Sequence, residues 1–373
     1  MAKLLIPTAT GVEAVVKREL FRMGYQDTRA INGRVQLEGD FETIARTNMF
    51  LRSGERVLLV LKEFHAETFD EVYDNVFSLN WQEIMPKNAR ILTYAKSVNS
   101  KLFALKALCS IVKKAVVDKM LTVYDSLDET GPRFKIEIAL FDDFATLSLD
   151  TSGDGLHKRG YRTLAYTAPL KETLAAALID LSYFHPEKEF ADVFCGSGTL
   201  PIEAGMIAKN IASGKFRDFD YRHFGFISQD FYQKALQEAN DKEKRDRKIS
   251  VWGSDIDENA ISIAKYHAKR AGLDKDVNFF VMDMRKFKAK TPFGVLISNP
   301  PYGQRIGDES ELKTLHSDLG KMCKDLPNWN CYFLSAFENF EKCFGKKADK
   351  KRKLFNANIA CCYYSFPSPK PKK

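Results

Sequence analysis

Two patterns of apolar and polar residues alternate through the first 150 residues of the chain. Short stretches in which every second residue is apolar predict strands, and longer stretches with apolar residues three or four apart predict amphipathic helices. The predicted strands are 4–9, 33–39, 55–64, 89–98, 134–140 and 145–151, and the predicted helices are 11–24, 41–53, 69–81 and 102–121. Asp142 and Asp143 separate the last two strands, which favours a hairpin at that point.

From residue 168 onward, strands alternate with helices. The predicted segments are a helix at 168–184, a strand, tight turn and helix at 189–208, a strand and helix at 249–272, strands at 277–284, 294–301 and 330–337, and a hairpin at 353–366. Asp257 is a suitable N-cap for the helix in 249–272. Strands that alternate with helices indicate a parallel sheet with helices on both faces.

Length and composition limit the classes of protein to consider. A chain of 373 residues favours two or three domains. It has no run of about 18 apolar residues, and its first residues contain too short an apolar stretch for a signal peptide. We therefore expect a soluble cytoplasmic protein with no membrane partner. The 7 cysteines form no C-x-x-C pair and show no zinc-ligand spacing, so we expect reduced thiols and no metal.

The net charge of +8 is concentrated at one end of the chain. Residues 341–373 hold ten lysines and arginines but only two acidic residues, so the remainder of the chain is neutral overall. This distribution excludes a uniformly basic surface. Any contact with nucleic acid must come from local patches of cations.

One such patch is predicted in the segment 153–162, directly after the hairpin. His157, Lys158, Arg159 and Arg162 surround Tyr161 there. Cations beside an aromatic ring suit contact with a phosphate backbone and one stacked base. A solvated linker between two domains explains the same residues equally well.

The turn at 192–199 is a candidate cofactor site. Gly196 and Gly198 fall between a strand and a helix, where a missing Cβ allows a ligand to lie against the backbone. Pro201 stands where the dinucleotide fingerprint has its third glycine, so a pyrophosphate site is disfavoured. The candidate residues of the turn are Asp192, Phe194, Cys195, Gly196, Gly198 and Thr199.

Acidic residues end the next two strands. Asp255 can accept hydrogen bonds from both hydroxyls of a ribose, and Asp283 can accept from an adenine amino group. Their neighbours Ile256 and Met284 belong to the same candidate site. The polar segment 207–249 separates the turn from Asp255 by more than the spacing seen in dinucleotide-binding proteins, which weakens the match unless this segment is an inserted helical excursion.

The sequence Asn299-Pro300-Pro301-Tyr302 follows an apolar strand. Two prolines cannot continue a strand or a helix, so the strand must end at Asn299 in a stiff loop. The Asn299 side-chain oxygen and the Pro300 carbonyl can accept hydrogen bonds from an exocyclic amine, and the Tyr302 ring can stack on the base. An ordinary Asn-Pro turn is the alternative for such a tetrad taken alone.

The motifs DVFCGSGT, GSDID, VMDM and NPPYGQRIG together resemble the class I S-adenosylmethionine-dependent methyltransferases that methylate amines. With the opening GVEAVVKREL, the junction LDTSGDGLHKRGYR and APLKETLAAAL, the whole chain resembles the THUMP-domain RNA guanine-N2 methyltransferases, closest to the bacterial enzymes for 23S rRNA. The resemblance implies an α/β chain with a ferredoxin-like domain at 1–60, a THUMP RNA-binding domain at 61–160 and a Rossmann-like methyltransferase domain at 161–373. The last of these would carry a helical insertion at about 207–249 and a basic C-terminal tail.

The resemblance also implies roles for the candidate residues. The turn at 192–199 would lie under the methionine part of S-adenosylmethionine, Asp255 would hold its ribose and Asp283 its adenine, while Asn299, Pro300 and Tyr302 would hold the target base. The implied partner is RNA, with rRNA favoured and tRNA as the alternative. A DNA adenine or protein glutamine methyltransferase would use the same loop but would leave residues 60–160 unexplained, and a non-catalytic RNA-binding protein is a further alternative. The modified nucleotide and the oligomeric state stay open.

Overall fold

The computed structural model describes residues 1–31, 33–164, 169–302 and 309–368, and within these ranges it contains fourteen strands and eleven α-helices. The strands are β1 (Ala2–Pro7), β2 (Thr28–Ile31), β3 (Arg34–Gly39), β4 (Leu58–His65), β5 (Arg90–Val98), β6 (Arg133–Phe141), β7 (Phe144–Asp150), β8 (Glu189–Asp192), β9 (Val251–Asp255), β10 (Val277–Val281), β11 (Gly294–Ser298), β12 (Trp329–Ser335), β13 (Lys350–Asn356) and β14 (Ile359–Phe366). The helices are α1 (Glu13–Arg22), α2 (Phe41–Phe50), α3 (Phe69–Phe77), α4 (Trp81–Ile84), α5 (Leu105–Leu121), α6 (Glu172–Leu181), α7 (Thr199–Ala208), α8 (Gln229–Lys242), α9 (Glu258–Arg270), α10 (Glu309–Lys324) and α11 (Phe340–Phe344).

The N-terminal half forms a single seven-stranded sheet with the order β2-β3-β1-β4-β7-β6-β5. Strand β4 pairs with β1 on one side and with β7 on the other, so it joins the two units that the sequence separates at residue 60. The proposed boundary between 60 and 61 therefore falls inside β4, and the two units share a strand. The sequence analysis missed β2, which has only four residues.

The hairpin predicted around Asp142 and Asp143 is confirmed. Both residues have positive φ, 49° and 60°, as a two-residue turn that matches the twist of its strands requires. Aspartate tolerates this conformation better than most residues. Helix α5 packs on β5 and β6 and on α3, and it buries Leu108, Val112 and Val116.

The C-terminal half contains a second seven-stranded sheet with the order β10-β9-β8-β11-β12-β14-β13. The strands from β10 to β12 are parallel, and β14 and β13 add an antiparallel hairpin. The strand order reverses at β8, because β9 lies on one side of it and β11 on the other. The carboxyl ends of β8 and β11 therefore border a crevice of the kind that binds ligands in open α/β sheets. This order confirms the predicted Rossmann-like fold.

The segment 207–249 packs against the N-terminal half. Its helix α8 lies on α2, where Arg46 forms an ion pair with Glu238 at 2.8 Å. Upstream of α8, the Phe224 ring stacks on Phe134 of β6 with centroids 4.6 Å apart. This segment therefore packs both on a helix and on the sheet of the N-terminal half. Among the described residues, no helix is long and apolar enough to cross a membrane.

Candidate active site

The turn between β8 and α7 requires both of its glycines. Gly196 and Gly198 have φ of 51° and 86°, in the left-handed region that favours glycine. A Cβ on Gly198 would also lie 2.9 Å from Ala264 and from Phe279, which is too close. Pro201 falls in the first turn of α7, where its missing N–H leaves no hydrogen bond unmade. Gly198 therefore allows the turn to pack closely against α9 and β10, and Gly196 lines the neighbouring cavity without a side chain.

A cavity of about 560 Å³ opens at the carboxyl ends of β8, β9 and β11. It brings together most of the predicted cofactor residues and part of the predicted catalytic loop: Asp192, Phe194, Cys195, Gly196, Thr199, Asp255, Ile256, Asp283, Met284, Asn299 and Pro301. Gly198, Pro300 and Tyr302 do not line it. Leu170 and Leu315 also form its wall, and no sequence signal distinguished these two leucines from core residues.

Asp192 lies at the inner end of the cavity and is 1% exposed. Its Oδ1 accepts hydrogen bonds from the Ser298 hydroxyl at 2.7 Å and from the Phe194 backbone N–H at 3.0 Å. Burial, with a smaller contribution from the nearby Asp255, raises the pKa of Asp192 to about 7, although these hydrogen bonds lower it. The Asp192 carboxyl therefore changes its charge near neutral pH. Sequence reasoning missed Ser298, whose only signal was a hydroxyl at the end of an apolar strand.

Asp255 connects the second strand of the site to the glycine turn. Its Oδ2 accepts from the Gly196 backbone N–H at 2.9 Å, and its Oδ1 accepts from the Asp257 N–H at 3.1 Å. Each carboxylate oxygen has more than one lone pair, so both can also accept from the hydroxyls of a ribose. Asp257 caps α9 as predicted.

Asp283 is held by one neighbour. Its Oδ1 accepts from the Arg285 backbone N–H at 2.8 Å, and its Oδ2 forms an ion pair with the Arg285 guanidinium at 2.9 Å. Arg285 also forms an ion pair with Asp318 of α10 at 2.7 Å. The carboxylate faces the cavity in a fixed position.

Strand β11 ends at Ser298, directly before Asn299, as predicted. The Asn299 side-chain oxygen is buried and has no hydrogen-bond partner among the described residues. A buried acceptor without a partner is unfavourable unless a ligand satisfies it. Asn299 also lines the cavity, so its amide oxygen is a candidate acceptor for a ligand there. Residues 303–307 of the predicted motif lie outside the described residues.

The prediction that the Tyr302 ring stacks on a base requires a correction. The residue is 5% exposed, and its hydroxyl accepts from Asn356 Nδ2 at 2.9 Å and contacts Cys361 Sγ at 3.7 Å. Both partners belong to the hairpin of β13 and β14. Because the ring is packed in the interior, its role in this structure is to hold the loop against the hairpin.

The junction segment 153–162 requires a second correction. Arg159 is 1% exposed and forms an ion pair with Glu203 of α7 at 3.3 Å, so it cannot contact an RNA backbone. The Tyr161 hydroxyl donates to the same Glu203 at 3.2 Å, and burial raises the pKa of Tyr161 well above its usual value, so it remains a donor. Glu203 was missed, although it is an acid in an otherwise apolar helix.

The other predicted RNA-binding residues are closer to the surface. Arg162 donates to the Thr199 hydroxyl and forms an ion pair with Glu172 at 3.3 Å, which connects it to the cofactor turn. His157 lies 3.7 Å from Glu55, and Lys158 is exposed, with Asp154 at 3.4 Å. All three line a cleft of about 1100 Å³ between the two halves of the chain. Its other basic residues are Arg90, Arg133, Arg217 and His223.

These observations fit an adenosyl cofactor. Gly196 lines the cavity without a side chain, and Asp255 and Asp283 supply acceptors after two neighbouring strands. Within the described ranges, no group of three or more His, Cys, Asp or Glu residues could hold a metal ion.

Comparison with known families identifies the chain. Residues 159–365 match the RMKL-like methyltransferase domain, residues 3–58 the RlmL ferredoxin-like domain and residues 66–150 the THUMP domain. The chain belongs to the RMKL-like methyltransferase family. The predicted cofactor, S-adenosylmethionine, is the one that this family uses.

Similar proteins cover nearly the whole chain. It is 41% identical to YpsC of Bacillus subtilis (strain 168), described as a candidate RNA methyltransferase, over 99% of this chain and 98% of YpsC. The crystal structure of SMU.472, a candidate methyltransferase complexed with SAH, superposes with a TM-score of 0.92 at 40% identity and covers 100% of this chain and 99% of that one. The crystal structure of a protein from Listeria monocytogenes str. 4b F2365 is described as that of a predicted N6-adenine-specific DNA methylase. It superposes with a TM-score of 0.92 at 41% identity and covers 99% of this chain and 96% of that one.

Proposed function

We propose that this methyltransferase acts on RNA and transfers a methyl group from S-adenosylmethionine to the exocyclic N2 amine of a guanine in 23S rRNA. The observation that carries the proposal is the buried Asn299 oxygen, which has no hydrogen-bond partner within the described ranges and belongs to a residue that lines the same cavity as the candidate cofactor residues. An acceptor in this position can bind one N–H of the amine and direct the nitrogen lone pair.

Different residues of the site would hold different parts of the cofactor and of the substrate. The bound cofactor supplies an electrophilic methyl group on a sulfonium. Asp192 and the turn at 196–199 would hold its methionine part, Asp255 its ribose, and Ile256, Asp283 and Met284 its adenine. Asn299 would hold the target amine. Pro300 and Pro301 keep the loop stiff, and Tyr302 fixes it to the hairpin through Asn356.

The reaction needs alignment more than acid or base catalysis. An in-line attack on a methyl group depends on the position of the nitrogen, and a thioether leaves without being protonated. Asn299 would accept a hydrogen bond from the amine as positive charge develops on its nitrogen in the transition state. The target base must leave its stack to reach the cavity, as other enzymes that modify bases require.

The choice of RNA rests on the N-terminal half. The THUMP and RlmL ferredoxin-like matches cover residues that a DNA or protein methyltransferase would not need, and YpsC is described as acting on RNA. We propose the divisions 1–60, 61–160 and 161–373 for the three domains, with β4 shared between the first two. The choice of guanine N2 and of 23S rRNA rests on the resemblance of the motifs.

The test is a transfer assay with the full chain. We would incubate it with radiolabelled S-adenosylmethionine and, separately, with unmodified 23S rRNA, unmodified tRNA and duplex DNA, and then identify the product nucleoside by mass spectrometry. We expect N2-methylguanosine in the 23S rRNA. Methylation of tRNA alone would reassign the substrate, and N6-methyladenine in DNA would contradict the proposal.

A further inference from the structure

Strand β13 forms a basic edge of the catalytic sheet. Among the strands of the described residues it pairs only with β14, and Lys350, Lys351, Arg352 and Lys353 are all exposed. Two of these charges have partners: Lys351 forms an ion pair with Glu341 at 2.7 Å, and Arg352 donates to the Gly11 carbonyl at 2.9 Å. In the described part of the chain, Lys350 and Lys353 have no ion-pair partner.

This edge leads to the catalytic loop. Strand β14 runs antiparallel to β12, and β13 antiparallel to β14, so β13 runs in the same direction as the parallel strands and ends on the side of the cavity. Its last residue, Asn356, donates to the Tyr302 hydroxyl at 2.9 Å. The basic strand therefore ends beside the loop that carries Asn299.

Large apolar side chains are exposed where β13 reaches the loop. Phe355 is 44% exposed and Ile359 is 50% exposed. Side chains alternate along a strand, so Phe355 points to the same face as Lys353, two residues earlier. Its cross-strand partner is Ala360, which is small and exposed, so the partner leaves much of the Phe355 ring uncovered.

Protection of the sheet edge against pairing with another chain would explain the lysines of β13. It would not explain the exposed Phe355 and Ile359. Lysines on an edge strand prevent pairing with another chain, whereas exposed apolar residues at its end would favour association. A polyanion with stackable bases fits both features, because unpaired cations neutralise phosphates and an aromatic ring stacks on a base.

We propose that the hairpin of β13 and β14 docks the RNA strand that carries the target base. Lys353 contacts a phosphate, and Phe355 stacks on a base next to the target, which places the target nucleotide over the cavity. This inference rests on the proposed function, because it assumes that the substrate of the Asn299 site is RNA.

The test compares two pairs of single substitutions in the full chain. Lys353→Ala and Phe355→Ala alter the proposed surface. Lys248→Ala and Phe293→Ala are matched controls, since both residues are exposed and precede β9 and β11 at the opposite end of the sheet. Phe355→Trp keeps an aromatic ring at the same position.

The measurements are RNA affinity over a range of salt concentrations, with an unmodified 23S rRNA transcript as probe, and calorimetric affinity for S-adenosylhomocysteine. Lys353→Ala should weaken RNA binding and reduce the log–log salt slope by about 0.7–0.9, the loss of one phosphate contact. Phe355→Ala should weaken it by at least about fivefold, the lower limit for one base–aromatic stack, with the slope unchanged and Phe355→Trp close to wild type. The controls should match wild type, and S-adenosylhomocysteine affinity should be equal in all variants.

The outcomes separate this inference from the proposed function. Wild-type RNA affinity and salt slope in both hairpin variants would overturn the docking role, even if the wild type methylates RNA. A wild type that binds RNA through these residues but transfers no methyl group to it would overturn the proposed function and leave the docking role intact. A wild type that does not bind RNA would overturn both.

Discussion

Ser298 donates a hydrogen bond to Asp192 at 2.7 Å, and its hydroxyl oxygen accepts one from the Val193 backbone N–H at 3.0 Å. Ser298 directly precedes Asn299, and Asp192 ends β8. This hydroxyl therefore fixes the strand that leads to Asn299 to the strand that opens the glycine turn. The two parts of the site are aligned by a contact that is buried below the cavity.

We expect cofactor affinity to increase as pH rises through about 7. Burial raises the pKa of Asp192 to about 7, and only the ionised carboxyl attracts the cationic amino group of the methionine part. Calorimetry with S-adenosylhomocysteine between pH 5.5 and 8.5 measures this dependence. Asp192→Asn should remove it, and a pH-independent affinity in the wild type would contradict the assignment.

The Asp192 carboxyl should give protein stability the opposite dependence on pH. Because the folded-state pKa is raised from 3.8 to about 7, the folded protein keeps a proton that the unfolded chain loses. The free protein should therefore lose stability as pH rises from about 4 to about 7, by at most about 4 kcal/mol at 1.36 kcal/mol per pKa unit. Thermal unfolding of the wild type and Asp192→Asn over this range checks the expectation, since the two curves should converge at low pH.

Asp255→Ala should weaken cofactor binding by about 1.5–3 kcal/mol, the contribution of hydrogen bonds to a charged acceptor. Asp274→Ala is a suitable control, because Asp274 is an exposed acid in the loop before β10. Calorimetry with S-adenosylhomocysteine gives the affinity, and a melting curve shows whether loss of the Gly196 contact alters the fold. Equal affinity in the two variants would remove Asp255 from the site.

The buried ion pair of Arg159 and Glu203 should affect stability rather than RNA affinity. Arg159→Ala leaves a buried carboxylate without its cation, and we expect a loss of about 3–5 kcal/mol in the free energy of unfolding. Lys158→Ala, at the exposed neighbouring position, should change it by less than about 0.5 kcal/mol. Urea unfolding measures both. Similar values for the two variants would contradict the buried role of Arg159.

Local chemistry made several features predictable from the sequence. The end of β11 before Asn299 follows from two prolines, the turn at Asp142 and Asp143 from residues that tolerate positive φ, and the cap at Asp257 from a side chain that reaches its own helix. The order of the strands and helices in the catalytic half also followed from their periodicity. Each of these predictions depends on residues close together in the chain.

The incorrect predictions concern contacts between distant residues. Arg159 and Glu203 are 44 positions apart, and Tyr302 and Asn356 are 54 apart. An arginine in a polar segment is expected to face solvent, and a tyrosine in a loop is expected to be free to stack on a ligand. Both expectations fail when a residue far away in the chain buries the side chain. Similarly, β4 joins the two N-terminal units through register pairs with β1 that only the folded sheet reveals.

Asn299→Ala tests the amine-holding role. Its contact matters mainly in the transition state, so transfer should fall by more than about tenfold, a cost above about 1.4 kcal/mol, while affinities for RNA and S-adenosylhomocysteine stay near wild type. Asn278→Ala, at an exposed position of β10, is the control. A variant that keeps more than about a tenth of the wild-type rate would contradict the role.

The most direct measurement is mass spectrometry of 23S rRNA nucleosides from a strain that lacks this protein. The account predicts that one N2-methylguanosine is absent there, that the wild-type chain restores it, and that Asn299→Ala, expressed at the same level, does not. An unchanged set of N2-methylguanosines in the deletion strain, or full restoration by Asn299→Ala, would contradict it.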